Sequence, residues 1–403
     1  MKKIAQLSLF AAAVLALSAC GKQEQQAAGD APAAAGAPQA EAGGSEVVKI
    51  GQVSPMTGPI AHFGKDNERG AILAIDELNA EGVEIGGKKV KFELISEDDQ
   101  ADPKIGTQVA QRLVDAKIVA VVGHLNSGTT IPASKIYSDA GIPQISPAAT
   151  NPAYTQQGFK TAFRVIGNDV QQGKALGEFA VDGLKAKKIA IIDDRTAYGQ
   201  GLADEFEKAV KTKGGTVIKR EFTTNTATDF NAILTSLKGS NPDLVFYGGM
   251  DAQAGPMAKQ MKRLGLKAKL LGGDGIQTPE FMKLAGDAAE GQYASSPGMP
   301  KEKMPGFADF NKRFQAKFNT EIQIYAPYEY DAVRVLVDAM KRAQSTDPKA
   351  FLPEVGKTDY NGVTGRIQFD DKGDIKNGAV TVYQAKAGKW SVVSTVGGPG
   401  AAQ

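Results

Sequence analysis

Short apolar runs alternate with longer amphipathic segments along most of the chain. The apolar runs have the length and the β-branched content of strands. In chain order they occupy residues 47–54, 89–97, 118–123, 142–146, 187–194, 216–222, 243–249 and 268–275. Segments with helical periodicity lie between them, such as 64–82 and 199–215, and the second ends in a Gly-Gly pair that suits a helix C-terminus. This alternation predicts parallel sheets covered by helices on both faces.

The series of strands and helices runs twice along the sequence. The first series ends near Ile166, and the second begins near Asn168. The stretch that follows Glu46 is long enough for two domains of ordinary size. We therefore predict an α/β fold of two doubly wound parallel-sheet lobes.

Five predicted strands end in loops rich in small, polar or acidic residues. These loops read GHLNSGTT (123–130), ISPAAT (145–150), DDRTAYGQG (193–201), YGGMDAQ (247–253) and GGDGI (272–276). In doubly wound sheets, ligands bind beyond the carboxyl ends of the strands, where helix N-termini offer free N–H groups. We expect the five loops to line one cleft.

The N-terminus has the pattern of a bacterial lipoprotein signal. Lys2 and Lys3 precede the apolar segment 4–17, and small residues lead to Cys20. The apolar segment is shorter than the roughly 20 residues that a spanning helix needs. Cys20 is the only cysteine, so it cannot form an internal disulfide. We interpret residues 1–19 as the signal peptide and Cys20 as a lipidated anchor; a plain secretory signal is the alternative.

Residues 20–45 are predicted to be the lipidated cysteine and a flexible linker. From Gly21 to Ser45 no aliphatic side chain is larger than that of Ala, so the segment cannot bury enough apolar surface to fold. Removing the signal lowers the Lys and Arg count from 47 to 45, which equals the Asp and Glu count of 45. A charge near zero implies no basic face for nucleic acid, and we expect no nucleic-acid partner.

The sequence contains no recognisable catalytic or metal-binding constellation. Its two histidines, His62 and His124, have no second ligand at metal-binding spacing. His124 lies near Ser127, but GHLNSG is not the G-x-S-x-G motif of a nucleophile elbow. A GKT sequence at 356–358 lacks the upstream glycine of a phosphate loop, because that position is Phe351. We predict a protein that is not an enzyme and uses no metal or cofactor.

The same loops carry groups that can hold a zwitterion. Hydroxyl groups and free N–H groups at a helix start can hold a carboxylate without a cationic side chain. Carbonyl groups of a segment like PAAT (147–150), with one buried acid, can hold an ammonium group. Taken singly, each hydroxyl is better explained as a helix N-cap. Two hydroxyl clusters together with Asp274 in a third loop favour a binding site.

The segment 123–152 resembles the same stretch of the periplasmic leucine/isoleucine/valine-binding protein family. The resemblance extends over nearly all of the chain after Val47, through residues 58–80, 193–206, 243–249 and 271–276. It implies the type I periplasmic binding protein fold, with two lobes joined by a hinge. The expected N-terminal lobe is 46–167 plus about 299–367, and the expected C-terminal lobe is 168–298 plus about 368–397.

Matched motif by motif, the resemblance implies a set of ligand-binding residues. Ser127 and Thr150 would hold the ligand carboxylate, with the backbone of Ala148 beside them. Tyr198 would close on the ligand from the second lobe. Asp274 stands where the family usually has a glutamate for the ammonium group.

Other positions depart from the family pattern. Met250 replaces an aromatic residue that lines the pocket of branched-chain binders, whereas Phe63 keeps an aromatic residue near the mouth. Ala101 and Asn126 stand where some members have a disulfide. The expected carboxylate clamp is intact, but the side-chain pocket does not identify the ligand.

The resemblance implies a monomeric, lipid-anchored receptor in the periplasm. It would bind a neutral or branched-chain amino acid by hinge closure and deliver it to an ABC permease in the membrane. Two alternatives stay open at this point. One is a receptor for a related small polar ligand, such as an amide or urea, or a sensor subunit. The other is a hydrolase on the same scaffold.

Overall fold

The computed structural model describes residues 45–398, which form two large sheets and one small one. The first sheet contains β1 Glu46–Ser54, β2 Glu84–Ile85, β3 Lys88–Asp98, β4 Ala120–Gly123, β5 Gln144–Ser146 and β6 Ala162–Arg164. The second contains β7 Lys188–Asp193, β8 Thr216–Phe222, β9 Leu244–Gly248, β10 Lys269–Gly272, β11 Tyr293–Pro297, β14 Ala379–Lys386 and β15 Lys389–Gly397. The small sheet pairs β12 Asp359–Asn361 with β13 Arg366–Gln368.

Both large sheets are parallel at their centres. The first has the order β2-β3-β1-β4-β5-β6, and only the β2–β3 pair is antiparallel. The second has the order β15-β14-β11-β10-β9-β7-β8, and it is parallel from β11 to β8. The predicted parallel α/β architecture with two lobes is therefore confirmed. The antiparallel additions β14 and β15 were not predicted.

Helices cover the sheets on both faces. They are α1 Ala61–Glu81, α2 Pro103–Asp115, α3 Ser127–Asp139, α4 Ala153–Gln156, α5 Asp169–Glu178, α6 Ala197–Thr212, α7 Asn231–Ser240, α8 Asp251–Arg263, α9 Pro279–Ala285, α10 Phe307–Phe318, α11 Ala326–Ala343 and α12 Pro348–Gly356. Local signals set several ends. Asp102 accepts hydrogen bonds from the first N–H groups of α2, and Gly214, at φ 75°, follows the end of α6 as predicted.

The chain returns to the first lobe after β11. The carboxyl group of Asp66 in α1 accepts backbone hydrogen bonds from residues 323–326, which lead into α11. A side-chain carbon at Gly70 would lie 2.3 Å from the carbonyl oxygen of Ala326, so only glycine permits this close contact of α1 with α11. Helices α1 and α11 are therefore packed as one layer on the first sheet.

Three segments of the chain cross between the lobes and lie side by side. They are residues 165–167, 297–299 and 375–379. A side-chain carbon at Gly167 would lie 3.4 Å from Cβ of Pro297 and 3.6 Å from the carbonyl oxygen of Ala379. A cavity of about 220 Å³ is lined by residues of all three crossings. The residue bounds given above for the two lobes stay a prediction.

Candidate ligand-binding site

The first-lobe part of the predicted site follows β4 and β5. Ser127 is the first residue of α3, and its Oγ accepts a hydrogen bond from the backbone N–H of Asn151 at 3.2 Å. Asn126, not Ser127, occupies the N-cap position of α3. The backbone N–H of Ala148 faces Oγ of Ser146 at 3.4 Å. The structure therefore brings the two hydroxyl-rich loops together, with Ser127 adjoining the loop that carries Thr150.

Thr150 carries a hydroxyl group that lies near the carboxyl group of Asp169, where it opposes the rise that burial causes in the pKa of that group. Thr150 is fully buried, and its hydroxyl has no hydrogen-bond partner among the described residues. Its carbonyl oxygen accepts the backbone N–H of Asp169 at 2.8 Å. Thr150 therefore lies beside Asp169, at the point where the chain enters the second lobe.

Arg164 supports this loop from inside the first lobe. Its side chain is fully buried and donates to the carbonyl oxygens of Ala149 at 2.7 Å and Asn151 at 3.0 Å. It also bonds Oδ1 of Asp374 at 2.6 Å. The guanidinium group therefore fixes the backbone on both sides of Thr150. Sequence reasoning missed Arg164, because an arginine in a three-residue strand carries no local signal of burial.

The second-lobe part of the site centres on Asp274. The hydroxyl of Tyr198 donates to Oδ1 at 2.9 Å, and Nε2 of Gln172 donates to the same oxygen at 3.0 Å. The hydroxyl of Tyr325 donates to Oδ2 at 2.5 Å. All three donors are uncharged. The Asp274 carboxyl group is therefore oriented by neutral hydrogen bonds and lacks a cationic partner among them.

Burial governs the protonation of these groups. It raises the pKa of the Asp274 carboxyl group, and the hydrogen bonds from Tyr325, Gln172 and Tyr198 oppose this rise. Burial, and next the charge of Asp274, raise the pKa of both tyrosines well above the usual value of 10.0. Both tyrosine hydroxyls therefore stay protonated and act as donors.

Asp169 is a second buried acid that sequence reasoning missed. It is the first residue of α5, and neither carboxyl oxygen has a hydrogen-bond partner among the described residues. Burial, followed by the charge of Asp274, raises its pKa from 3.8 to about 8. The capping box formed by Asn168 and Gln171 marks this helix start in the sequence, but not the neighbouring acid.

A cavity of about 580 Å³ opens between the two lobes beside these groups. First-lobe residues on its wall include Thr57, Pro59, Ile60, Gln100, Ala101, Pro103, Asn126 and Gly128. Second-lobe residues on its wall include Asp194, Arg195, Thr196, Ala197, Tyr198, Thr224, Asn225, Thr226, Met250 and Gln253. Three of the five predicted loops therefore meet at this cleft, those that follow β4, β7 and β9.

The predicted site residues differ in their relation to this cavity. Tyr198 and Met250 line it, whereas Ser127, Ala148, Thr150 and Asp274 do not. Phe63 lies deeper than the mouth: it is fully buried, and its ring centroid is 5.8 Å from that of Tyr325. Tyr325 is a further residue that sequence reasoning missed, because it approaches Asp274 from a segment 51 residues away. Cys20 lies outside the described residues.

His124, the histidine near Ser127 in the sequence, forms its side-chain hydrogen bonds with other residues. Nδ1 of His124 lies 2.9 Å from Oδ2 of Asp99, and Nε2 lies 3.1 Å from the hydroxyl of Tyr137. These contacts are fully buried and do not include Ser127. The arrangement is a structural hydrogen-bond chain rather than a nucleophile and its base. Across residues 45–398, no three His, Cys, Asp or Glu side chains are grouped so as to hold a metal ion.

The sequence profile of the periplasmic binding protein family matches residues 47–389. The chain belongs to this family. It is 39% identical to the Leu/Ile/Val-binding protein homolog 1 of Brucella abortus over 342 residues, which are 85% of this chain and 91% of the relative. It is 35% identical to the leucine-, isoleucine-, valine-, threonine- and alanine-binding protein of Pseudomonas aeruginosa, over 84% of this chain and 90% of that one.

Solved structures agree with this assignment. The Streptococcus pneumoniae substrate-binding protein LivJ, in complex with isoleucine, matches with a TM-score of 0.79 at 30% identity. The match covers 87% of this chain and all of LivJ. The resemblance found in the sequence, to the branched-chain amino acid group of the family, is therefore confirmed. Because the family consists of solute-binding proteins of ABC transporters, this binding protein is not an enzyme, and its family places it in the periplasm.

No helix within residues 45–398 of this binding protein has the length and apolar character needed to cross a bilayer.

Proposed function

We propose that this binding protein is a lipid-anchored periplasmic receptor for a neutral or branched-chain amino acid, which it delivers to an ABC permease. The observation that carries the proposal is the buried Asp274 carboxyl group, which three uncharged donors orient. A carboxylate taken out of water needs a positive partner, and the α-ammonium group of an amino acid supplies one.

The opposite end of the ligand would meet the first lobe. The hydroxyls of Ser127 and Thr150 and the backbone N–H of Ala148 form the proposed clamp for the carboxylate. The unpartnered hydroxyl of Thr150 and the fixed backbone around it favour this role, because Arg164 holds the carbonyl groups on both sides of it. Preorganised donors lose little entropy when the ligand binds.

The side chain of the ligand would lie toward the cleft. Met250 and Tyr198 contribute apolar surface to the cavity wall, and Phe63 packs behind Tyr325. These contacts suit an uncharged side chain. The names of the Brucella and Pseudomonas relatives, which refer to leucine, isoleucine and valine, support the same class of ligand.

Closure of the two lobes about the three crossing segments would sequester the ligand and create the surface that the permease recognises. Acylation of Cys20 and a linker over residues 21–45 would keep the protein, as a monomer, close to the membrane.

Isothermal titration of the full-length chain in detergent tests the ligand class. L-leucine, isoleucine, valine, threonine and alanine should include at least one tight ligand. Two compounds then test the two clamps separately: 4-methylpentanoate is leucine without its ammonium group, and 3-methylbutylamine is leucine without its carboxylate. Each should bind at least about 10-fold more weakly than leucine, since each leaves buried groups unpaired. Tighter binding of urea or an aliphatic amide than of any amino acid would favour the alternative receptor.

A further inference from the structure

One side-chain pair joins the lobes away from both the proposed clamps and the crossing segments. Nε2 of His62 lies 2.8 Å from Oδ2 of Asp251. His62 is the second residue of α1 in the first lobe, and Asp251 is the first residue of α8 in the second lobe. Because a carboxylate only accepts hydrogen bonds, the imidazole is the donor. Any rotation that parts the lobes would break this bond.

The second lobe holds Asp251 rigidly in place. Oγ1 of Thr278 donates to the same Oδ2 at 2.6 Å, and the indole N–H of Trp390 donates to the carbonyl oxygen of Thr278 at 3.0 Å. Asp251 is also the first residue of α8, a helix end at which the backbone N–H groups point outward. The Asp251 side chain is fully buried, and its Oδ1 has no partner among the described residues.

The His62 side chain is less buried than that of Asp251. The imidazole is 22% exposed, and its ring centroid is 4.3 Å from that of the buried Phe63. Partial exposure leaves the bond open to water from one side. Burial of the aspartate nevertheless makes this bond stronger than an exposed surface pair, for which the usual contribution is small.

The pair adjoins the cleft without belonging to either clamp. His62 precedes Phe63 in the chain, and Asp251 follows Met250, a residue of the cavity wall. Other cross-lobe side-chain bonds lie within the proposed site or at the crossing segments. Tyr325 bonds Asp274, and Nδ2 of Asn151 bonds the carbonyl oxygen of Ala197, the residue before Tyr198. At the crossings, the hydroxyl of Tyr328 donates to the carbonyl oxygen of Pro297 at 3.2 Å. The His62–Asp251 bond therefore joins the lobes beside the cavity without involving a residue of either clamp.

We propose that His62 and Asp251 form a latch that holds the lobes closed and slows ligand release. The proposal rests on the proposed function for the presence of a ligand, but not for the latch itself. A bond made only in the closed form raises the closed population and thereby lowers the dissociation rate. The latch residues are positioning residues, because they stabilise the closed form without touching the clamps.

Three variants of the full-length chain in detergent test the latch. His62→Ala removes the donor. His62→Gln keeps an N–H donor at a similar reach and should restore much of the effect. Lys65→Ala is the matched control, since Lys65 is exposed on the same helix. With L-leucine as the probe, stopped-flow measurement should show the dissociation rate rising about 5- to 20-fold in His62→Ala, as expected for loss of a partly exposed hydrogen bond to a charged group.

A second measurement needs no ligand. Hydrogen–deuterium exchange of the backbone in residues 194–199 on the cleft wall should speed up by a similar factor in His62→Ala. Exchange in the buried strand β9 should not change. Equal exchange and equal dissociation rates in His62→Ala, His62→Gln and Lys65→Ala would overturn the latch. If no amino acid binds, the proposed function is wrong. The exchange measurement then still tests whether the His62–Asp251 bond holds the lobes closed.

Discussion

The guanidinium group of Arg164 and the carboxyl group of Asp374 form a buried ion pair at 2.6 Å, across 210 residues of sequence. The arginine side chain is fully buried, and that of the aspartate is 13% exposed. The same guanidinium group bonds the backbone beside Thr150. One side chain thus ties the proposed carboxylate clamp to a segment that crosses between the lobes.

Asp374→Ala should lower the free energy of unfolding by about 3–5 kcal/mol, because it leaves the Arg164 charge buried and unpaired. Oγ1 of Thr155 and Nδ2 of Asn168 lose the same acceptor. Urea unfolding of the full-length chain measures this change. Asp371→Ala, at an exposed neighbouring position, is the control and should change stability by no more than about 0.5 kcal/mol. Similar losses in the two variants would contradict the role of the ion pair.

Ser127→Ala should weaken amino-acid binding by roughly 10- to 150-fold, since a hydrogen bond to a charged group contributes about 1.5–3 kcal/mol. The variant also loses the acceptor for the Asn151 N–H, so a modest loss of stability, about 1 kcal/mol, should accompany it. Titration calorimetry and thermal unfolding of the same preparations separate the two effects. Ser138→Ala, near the other end of α3, is the control. Unchanged affinity together with lower stability would assign Ser127 a purely structural role.

Asp274→Asn should weaken amino-acid binding by at least about 10-fold, because it removes the negative partner of the ammonium group while keeping nearly the same shape. Stability without ligand should fall by no more than about 1 kcal/mol, because burial already disfavours the charged carboxyl group, although the amide nitrogen no longer accepts a hydrogen bond from one of the three donors. Tyr325→Phe removes one of the three donors and should weaken binding less. Calorimetric affinity and the melting temperature without ligand provide the comparison. An Asp274→Asn variant with native affinity would remove Asp274 from the site.

Asp169→Asn should flatten the dependence of stability on pH. The pKa of Asp169 is raised from 3.8 to about 8, so the folded state holds the proton more tightly than the unfolded chain. Its stabilising contribution is full below pH 3.8 and is lost as the pH rises through about 8. Between these values the free energy of unfolding falls by up to about 1.4 kcal/mol per pH unit. Urea unfolding at pH 5, 6, 7 and 8 should show a smaller slope for Asp169→Asn than for the native chain or Asp371→Asn.

Cys20→Ala should release the protein from the membrane as unprocessed or wrongly cleaved chain, because no other cysteine can take the lipid. Membrane fractionation and mass spectrometry of the N-terminus report the two effects. A variant that is fully processed and still sediments with membranes would show that a feature other than Cys20 anchors the protein.

Local patterns in the sequence determined most of the secondary structure. The strand predicted at 216–222 has the bounds of β8, and α6 ends just before the predicted glycine pair. Such elements follow from side-chain periodicity and from capping residues within a few positions of each other. The loops after β4, β5, β7, β9 and β10 could be predicted for the same reason, because the end of each strand is marked by a change of composition.

Other strands could not be predicted from the pattern. Strand β6 has three residues, Ala-Phe-Arg, with no β-branched residue to mark it as a strand. Strands β14 and β15 form an antiparallel hairpin at the edge of the second sheet, and their place beside β11 depends on a third crossing between the lobes. The alternation of strands and helices describes the parallel centre of each sheet but not such edges.

The motif resemblance selected Ser127, Ala148, Thr150, Tyr198 and Asp274 from the sequence, and their roles in binding stay a prediction. The tertiary structure alone decided which partners surround them. Gln172 and Tyr325 reach Asp274 across 102 and 51 residues, and His62 reaches Asp251 across 189. Burial likewise decided that Asp169 is an acid with a raised pKa and that Phe63 lies in the core. Hydrophobic period and capping act within a few turns of chain, whereas electrostatics and packing depend on distances in space that only the folded lobes establish.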